Sequence, residues 1–360
     1  MLPFAGITGA HSEGKEVRTV AIKAKRRAAV LGCGGIGDVH CAAYRDRPDV
    51  EIVAVADIDA ANLDRVALKY GVPGRFTDYR DLLRETTPEI VSVCTWPGLH
   101  AEMTIAAAQA GALGILCEKP LARSLGEVDR MIAACRASGS KLATGHQHRF
   151  NPVHSLARER VAGGAIGAPV LLRCRTNRGL MNNGSHGIDL MRFLLGDPTA
   201  EWVVGQTGRS IDRWERGGRI EEFGTGIIGF LNDVQAILTT DLPGEAEFYP
   251  MVVGDRGVMH LMGDSLRIVG PSGESIEKPE RTRGDYAAEV AELVDWIDGG
   301  HAHRSAAEHG RAAIEIVMAL YESARTHSRI DLPFTAADSP LERMIDDGVL
   351  TPVSAGRVEI

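Results

Sequence analysis

Residues 28–37 read Ala28-Ala29-Val30-Leu31-Gly32-Cys33-Gly34-Gly35-Ile36-Gly37. Four apolar residues form a short strand that runs straight into Gly-x-Gly-x-x-Gly. Each glycine has a physical task where a strand turns sharply into a helix. Gly32 permits the tight turn, Gly34 lets a pyrophosphate approach the backbone, and Gly37 lets the helix pack on the strand. The helix opens around Gly35 and Ile36, with its N-terminus toward the phosphates. It is expected to run from about Ile36 to Arg47, followed by a second strand from Glu51 to Ala56 that ends at Asp57. Asp57 lies 20 residues past Gly37. An acid at that distance accepts hydrogen bonds from a ribose 2′-hydroxyl and repels a 2′-phosphate. The stretch reads as a site for NAD, with NADP as the alternative. The competing reading of Asp57 alone is a strand-end turn residue.

The alternation continues down the chain. Helices are expected over Ala60–Tyr70, Asp78–Arg84 (capped by Thr77), Gly98–Ala110 (closed by Gly111) and from a Ser124 cap to Ala137. Glu127, three residues after Ser124, completes a capping box. Extended segments fall at Arg75-Phe76, Ile90–Cys94, Gly114–Cys117 and Lys141–Thr144. Near-continuous apolar strands alternating with helices mean a parallel, doubly wound sheet covered on both faces. Ligands of such sheets bind outside the carboxyl ends of the strands. Three segments lie at those ends: Thr95-Trp96-Pro97, Glu118-Lys119-Pro120 and Gly145-His146-Gln147-His148-Arg149. After Phe150-Asn151-Pro152 the pattern changes. A helix over Pro152–Ala162, a strand over Ala168–Thr176 and a helix over Ser185–Leu195 are followed by strands at hairpin spacing: Trp202–Thr207, Glu222–Leu231, Val234–Thr240, Tyr249–Val253, Val258–Met262 and Leu266–Val269. Strands without crossover helices imply an open, mostly antiparallel sheet. Amphipathic helices are expected over Asp285–Ile297 and Ala306–Thr326.

The fold class is therefore an α/β N-terminal domain plus an α+β C-terminal domain. The division is 1–26 as an N-terminal extension without periodicity, 27–148 for the dinucleotide-binding domain, 149–334 for the substrate and oligomerisation domain, and 335–360 as a tail. The 360 residues are 44% hydrophobic and 24% charged, which suits two globular cores. A net charge of −8 argues against nucleic acid or an anionic membrane as partner. The six cysteines (Cys33, Cys41, Cys94, Cys117, Cys135, Cys174) are scattered and form no CxxC, which reads as reduced core thiols in the cytoplasm. No apolar run reaches the roughly 18 residues of a membrane span.

Taken together, Gly32-x-Gly34-x-x-Gly37, Asp57, Thr95-Trp96-Pro97-Gly98-Leu99-His100, Glu118-Lys119-Pro120, Arg149-Phe150-Asn151-Pro152 and Gly184-Ser185-His186-Gly187-Ile188-Asp189 stand in the order and spacing of one family. The chain resembles the glucose–fructose oxidoreductase / inositol dehydrogenase / rhizopine catabolism (Gfo/Idh/MocA) family over about residues 27–335. The resemblance implies a Rossmann domain joined to an open antiparallel sheet used for homodimer or homotetramer contacts. It implies an NAD(P)-dependent oxidoreductase acting on a sugar, cyclitol or sugar derivative. It also implies a Lys119–Pro120 peptide that can be cis, at a cost of only about 0.5–1 kcal/mol before proline.

Oxidation of a secondary alcohol removes a proton while hydride leaves. A base with a pKa near the working pH favours histidine, and an ammonium stabilises the developing alkoxide. The resemblance assigns these roles to His186 and Lys119. Many relatives carry Asp four residues before this histidine; here the position is Asn182. Asparagine bonds a sugar hydroxyl but carries no charge, so it cannot raise the histidine pKa as a carboxylate would. Asp189, on the same helical face as His186, is the candidate to orient it. Asn182, Asp189, Arg149 and Arg175 join Lys119 and His186 as expected substrate contacts. The expected cofactor wall comprises Gly32, Gly34, Gly35, Ile36, Gly37, Asp57, Thr95, Trp96, Pro97, His100, Glu118, Lys119 and Gln147. Trp96 has a second reading, as filler of the interdomain seam. His146 and His148 have metal-pair spacing but no third ligand, so no metal is expected. Two further readings are an NAD-dependent glycosidase that oxidises C3 transiently, and a non-catalytic sugar or dinucleotide sensor, which the absence of an acid at 182 allows.

Overall fold

The computed structural model describes residues 24–242, 248, 250–280, 283–353 and 356–360. The expected N-terminal extension thus lies outside the described residues as far as residue 23. The apolar runs form β1 (Arg26–Leu31), β2 (Val50–Ala56), β3 (Gly74–Phe76), β4 (Ile90–Val93), β5 (Gly114–Glu118) and β6 (Lys141–Gly145). They pair in the order β3-β2-β1-β4-β5-β6, every neighbouring pair parallel. The crossovers are α1 (Gly35–Arg45), α2 (Ala60–Tyr70), α3 (Tyr79–Thr86), α4 (Pro97–Gln109) and α5 (Leu125–Ser138). Covering helices on both faces leave β4 and β5 wholly buried, which is why their sequences do not alternate. Ser124 caps α5 as expected, accepting from the Glu127 N–H. The cap of α3 is Asp78, not Thr77: the Asp78 carboxylate accepts from the Arg80 N–H.

A 3-10 turn (Gln147–Phe150) leads through α6 (Pro152–Ala162) into β7 (Pro169–Thr176). A π-helical turn (Gly179–Gly184) then runs directly into α7 (Ser185–Leu194). The remaining elements are β8 (Ala200–Gly208), β9 (Asp212–Glu215), β10 (Gly218–Arg219), β11 (Phe223–Phe230), β12 (Gln235–Thr240), β13 (Met251–Gly254), β14 (Gly257–Met262), β15 (Ser265–Gly270), β16 (Gly273–Glu277), α8 (Asp285–Ile297), α9 (Ala307–Thr326), β17 (Ile330–Asp331), α10 (Pro340–Asp346) and β18 (Arg357–Glu359). Nine strands form the second sheet, in the order β16-β15-β14-β13-β7-β12-β11-β8-β17. Its pairs are antiparallel except β7 with β12. Along β7 the period is two: Leu172, Cys174 and Thr176 are buried, while Arg173 and Arg175 are exposed. α7 lies on the buried face. Gly187 permits the close approach, since a Cβ there would stand 3.1–3.3 Å from Leu238, Thr176 and Cys174.

Two parts of the chain sit where periodicity alone did not place them. α8 follows the second sheet in sequence but packs on α1 and on β5 and β6 of the first domain. Val290, Leu293 and Val294 share one buried cluster with Ala28, Val30, Ile90 and Leu116. The tail is ordered by α10, which buries Leu341 and Met344, and by β18, which pairs with β9. All six cysteines are buried free thiols. Among the described residues no helix is long and apolar enough to cross a membrane.

Candidate active site

The glycine loop shows directly what each residue does. Gly32 has φ of +99°, and a Cβ there would lie 2.6 Å from the Cys94 carbonyl oxygen. A Cβ on Gly37 would lie 1.9 Å from the Gly32 carbonyl oxygen, so only hydrogen fits where α1 crosses the loop. Gly34 and Gly35 face open space, with nothing within 4 Å of a built Cβ. Gly34 is the N-cap of α1 and supplies no side-chain cap, so the first helical N–H groups stay available to an anion. Asp57 stands across the loop. Its Oδ2 accepts from the Cys33 N–H at 2.6 Å and its Oδ1 from the Asp59 N–H at 2.8 Å. Those bonds orient the carboxylate and leave lone pairs for ribose hydroxyls. The exposed Ile58 beside it offers no charge to a 2′-phosphate. Asp57→Ala is accordingly expected to weaken NADH binding by roughly 10-fold or more, about one charge-assisted hydrogen-bond pair, with little change for NADPH; parallel fluorescence titrations measure the two.

A cleft of about 390 Å³ opens from the loop toward the second domain, lined by Ile36, Thr95, Glu118, Lys119, Gln147, His148, Asn183, His186, Arg216, Phe248 and Tyr286. The Oε1 of Gln147 is buried with no partner among the described residues. A buried amide oxygen left unpaired costs free energy, and an incoming N–H donor such as a carboxamide would satisfy it. The open glycine loop, the uncapped helix, Asp57 and this orphaned acceptor together fit a nicotinamide dinucleotide.

Lys119 follows β5 directly, where the cis peptide to Pro120 turns the chain. Behind it Glu118 is buried, its Oε1 3.1 Å from His40 Nε2, while His40 Nδ1 is 3.0 Å from Ser92 Oγ. Burial opposes ionisation of Glu118, but the His40 bond and nearby positive charge hold its carboxyl below the usual range. His100 bridges the carbonyl oxygens of Pro120 (2.9 Å) and Thr95 (3.0 Å), tying the ends of β4 and β5 together. Lys119 Nζ donates to Asn182 Oδ1 at 2.6 Å. Burial pushes the Lys119 ammonium down to about 8, against the pull of Glu118 and Glu215. His186, on the first turn of α7, closes the cleft from the other domain. Its ring is 4.9 Å from His148 and 6.1 Å from Phe248, and its Nδ1 is buried without a partner among the described residues. Burial, then Lys119 and the two neighbouring histidines, push His186 well below the ordinary imidazole value. His148 stacks on Phe248 at 4.5 Å and is held down to about 3, chiefly by burial. Both shifts favour the neutral imidazole.

Six of the expected contacts lie away from the lining of this cleft. Arg149 does not face the cleft: it is 1% exposed, and its guanidinium donates to both oxygens of Asp189 (2.7 and 2.8 Å) and to Asp197 (2.7 Å). Asp189 therefore does not orient His186; its Oδ1 is also 3.0 Å from His146 Nδ1. Helical spacing placed it on the correct side of α7, but the strongest local cation captured it. Arg175 lies on the exposed face of β7, opposite α7, because the strand period puts odd positions outward. His100 is fully buried against the Thr95 and Pro120 carbonyls. Trp96 is 59% exposed, and a Cβ on Gly217 would stand 3.5 Å from its ring. Pro97 lines a neighbouring cavity of about 440 Å³, not the cleft. His148, Asn183, Arg216, Phe248 and Tyr286 were not singled out as cleft residues. Most come from loops or from α8, whose position only the tertiary fold reveals. Among the described residues no group of three His, Cys, Asp or Glu is arranged for a metal.

Fold and site define the class: a two-domain, NAD-binding oxidoreductase. Residues 26–146 match the oxidoreductase family of NAD-binding Rossmann fold, and 175–332 match the C-terminal alpha/beta domain of the same family. The chain belongs to the Gfo/Idh/MocA oxidoreductase family. It is 30% identical over 337 residues to inositol 2-dehydrogenase 3 of Saccharopolyspora erythraea, covering 87% of this chain and 97% of that one. It is 26% identical over 343 residues to D-glucoside 3-dehydrogenase of Escherichia coli K12, covering 85% and 97%. The fold matches levoglucosan dehydrogenase in complex with NADH and levoglucosan, with TM-score 0.76 and 21% identity over 86% of this chain and all (100%) of that one.

Proposed function

We propose that the protein moves hydride between NAD and a secondary alcohol or ketone of a sugar, cyclitol or glycoside, with Lys119 and His186 as the catalytic pair. The observation that carries this is the placement of the two side chains. They come from different domains, and both line the cleft that runs from the glycine loop past the orphaned Gln147 oxygen. The names of the relatives, an inositol 2-dehydrogenase and a D-glucoside 3-dehydrogenase, support a polyhydroxylated substrate. When bound, the dinucleotide supplies the hydride acceptor at its nicotinamide ring. The chain does the rest. Glycine-loop N–H groups hold phosphate, and Asp57 holds ribose. The Lys119 ammonium donates to the reacting oxygen and stabilises its negative charge. Neutral His186 takes the hydroxyl proton. Asn183 and Arg216, at the cleft edge, are the groups placed to hold neighbouring hydroxyls.

The test is a screen at 340 nm, the NADH absorbance, across sugars, inositols, glycosides and amino sugars with NAD. His186→Asn is expected to lower kcat by about 10²–10⁴-fold with a much smaller change in KM. Turnover that survives in His186→Asn would refute its role as base. Glycoside cleavage without net NADH would favour the glycosidase reading, and retained dinucleotide with no turnover on any polyol would favour the sensor. The second sheet turns its outer face to solvent with Val170, Val204 and Ile227 exposed and a shallow groove of about 540 Å³. We assign that face to the homodimer or homotetramer contact. The six buried thiols suit a reducing cytoplasm.

A further inference from the structure

Asn182 does more than hold Lys119. Its Nδ2 donates to Glu215 Oε1 at 2.6 Å, while its Oδ1 accepts from Lys119 at 2.6 Å. The orientation of the amide follows from chemistry alone. An ammonium only donates, so the oxygen faces Lys119; a carboxylate only accepts, so the NH₂ faces Glu215. The Asn182 main chain is tied down as well, its carbonyl accepting from Ser185 Oγ at 2.7 Å. Glu215 sits at the end of β9, immediately before a turn in which Arg216 (φ +48°) and Gly217 (φ +70°) are both left-handed. Asn182 and Glu215 are 7% exposed, so their bond is poorly screened by water.

We propose that Glu215 is the carboxylate counter-charge of Lys119, acting through the Asn182 amide as a positioning residue. An aspartate at 182 would put a negative charge directly on the lysine. Here the charge sits one residue further out, on Glu215, and the Asn182 amide bridges the gap. The same geometry accounts for the asparagine. An aspartate at 182 would set two carboxylates at hydrogen-bond distance, and one of them would have to stay protonated. Asn182 and Glu215 therefore behave as one unit, and each makes sense only with the other. The groups around the ammonium are Glu118 on β5, His148 on the 3-10 turn, Arg178 and Asn182 at the π turn, His186 on α7, and Glu215 and Arg216 on the β9–β10 hairpin. Arg178 Nη1 also lies 3.4 Å from Glu215 Oε1, so this carboxylate is shared between two cations. Removing the Glu215 charge leaves Arg178 and Arg216 unopposed on the outer side and lowers the Lys119 pKa.

This inference rests on the proposed role of Lys119, so its test includes a readout independent of turnover. The chain has only seven lysines. With lysine-labelled full-length protein, the Lys119 side-chain resonance is assigned by its loss in Lys119→Met and titrated by NMR. Glu215→Gln is expected to lower the Lys119 pKa by about half a unit or more. The alkaline limb of kcat/KM should move down by the same amount, because a lysine that must be charged loses function as pH rises through its pKa. Asn182→Asp/Glu215→Gln restores one carboxylate beside Lys119 without a second one facing it. It should recover both the titration and most of the activity, while Asn182→Asp alone should not. An unchanged Lys119 titration in Glu215→Gln, or a double variant no better than Glu215→Gln, overturns the proposal. A shifted titration in a protein with no activity on any polyol supports the charge arrangement and overturns the catalytic reading instead.

Discussion

Lys119→Met is expected to lower kcat/KM for polyol oxidation about 10²–10³-fold, as removal of one preorganised charge from a developing oxyanion does. The substitution keeps the length and apolar stem of the side chain, so β5 and the turn at Pro120 should hold. What is lost is a partly buried ammonium in the cleft, where its charge is worth more than in open water. The loss should fall mainly on kcat, because the reacting oxygen carries more negative charge in the transition state than in the bound alcohol. NADH affinity should change much less, since the dinucleotide is held mainly by the glycine loop and Asp57. Steady-state kinetics and NADH titration on the same preparation check both. Activity within a few-fold of the parent enzyme would remove Lys119 from the mechanism and with it the main support for the proposed function.

The second large effect is on stability. Asp189→Leu should destabilise the fold by about 3–5 kcal/mol, the range for breaking a buried ion pair from one side. Arg149 would keep its charge at 1% exposure and lose the partner that accepts two of its bonds, with Asp197 left as its one carboxylate. The pH dependence of the parent protein follows from the same pair. Burial alone would keep the Asp189 carboxyl protonated, but Arg149 and His146 outweigh it and hold the group far below the usual carboxylate range. A depressed native pKa contributes stability that is complete above the unfolded aspartate value of about 4 and is lost as pH falls below it. Denaturant unfolding between pH 7 and pH 3 should show that loss in the parent and a flatter profile in Asp189→Leu. Equal slopes in the two proteins would show that the pair does not govern acid stability.

These expectations mark where sequence reasoning was sufficient. The glycine loop was legible because its requirements are local: a positive φ at Gly32 and a missing Cβ at Gly37 depend on atoms a few residues away. Lys119 and His186 could be paired only through the resemblance, because 67 residues separate them and no helical or strand period links them. Arg149 and Asp189 show the opposite case. Each was recognised as chemically active, but a buried arginine and a buried aspartate within reach neutralise each other before a substrate can use them. Glu215 was missed altogether. Its neighbourhood, Trp214-Glu215-Arg216-Gly217-Gly218-Arg219, carries a turn signal in the adjacent glycines. Nothing local says that the acid before the turn would meet an asparagine 33 residues upstream.

The return of α8 to the first domain has a consequence for how the protein comes to be made. A nascent chain that has completed β6 has every strand of the six-stranded sheet, yet one face still lacks Val290, Leu293 and Val294. Gly114, where a Cβ would stand 2.3 Å from Ile297 and 3.3 Å from Leu293, faces an empty seat until that helix leaves the ribosome. The dinucleotide domain is thus contiguous in function but not in synthesis. Expressed as residues 24–150 it would expose an apolar sheet face and tend to aggregate, and a dissection of the two halves would have to carry α8 with the first.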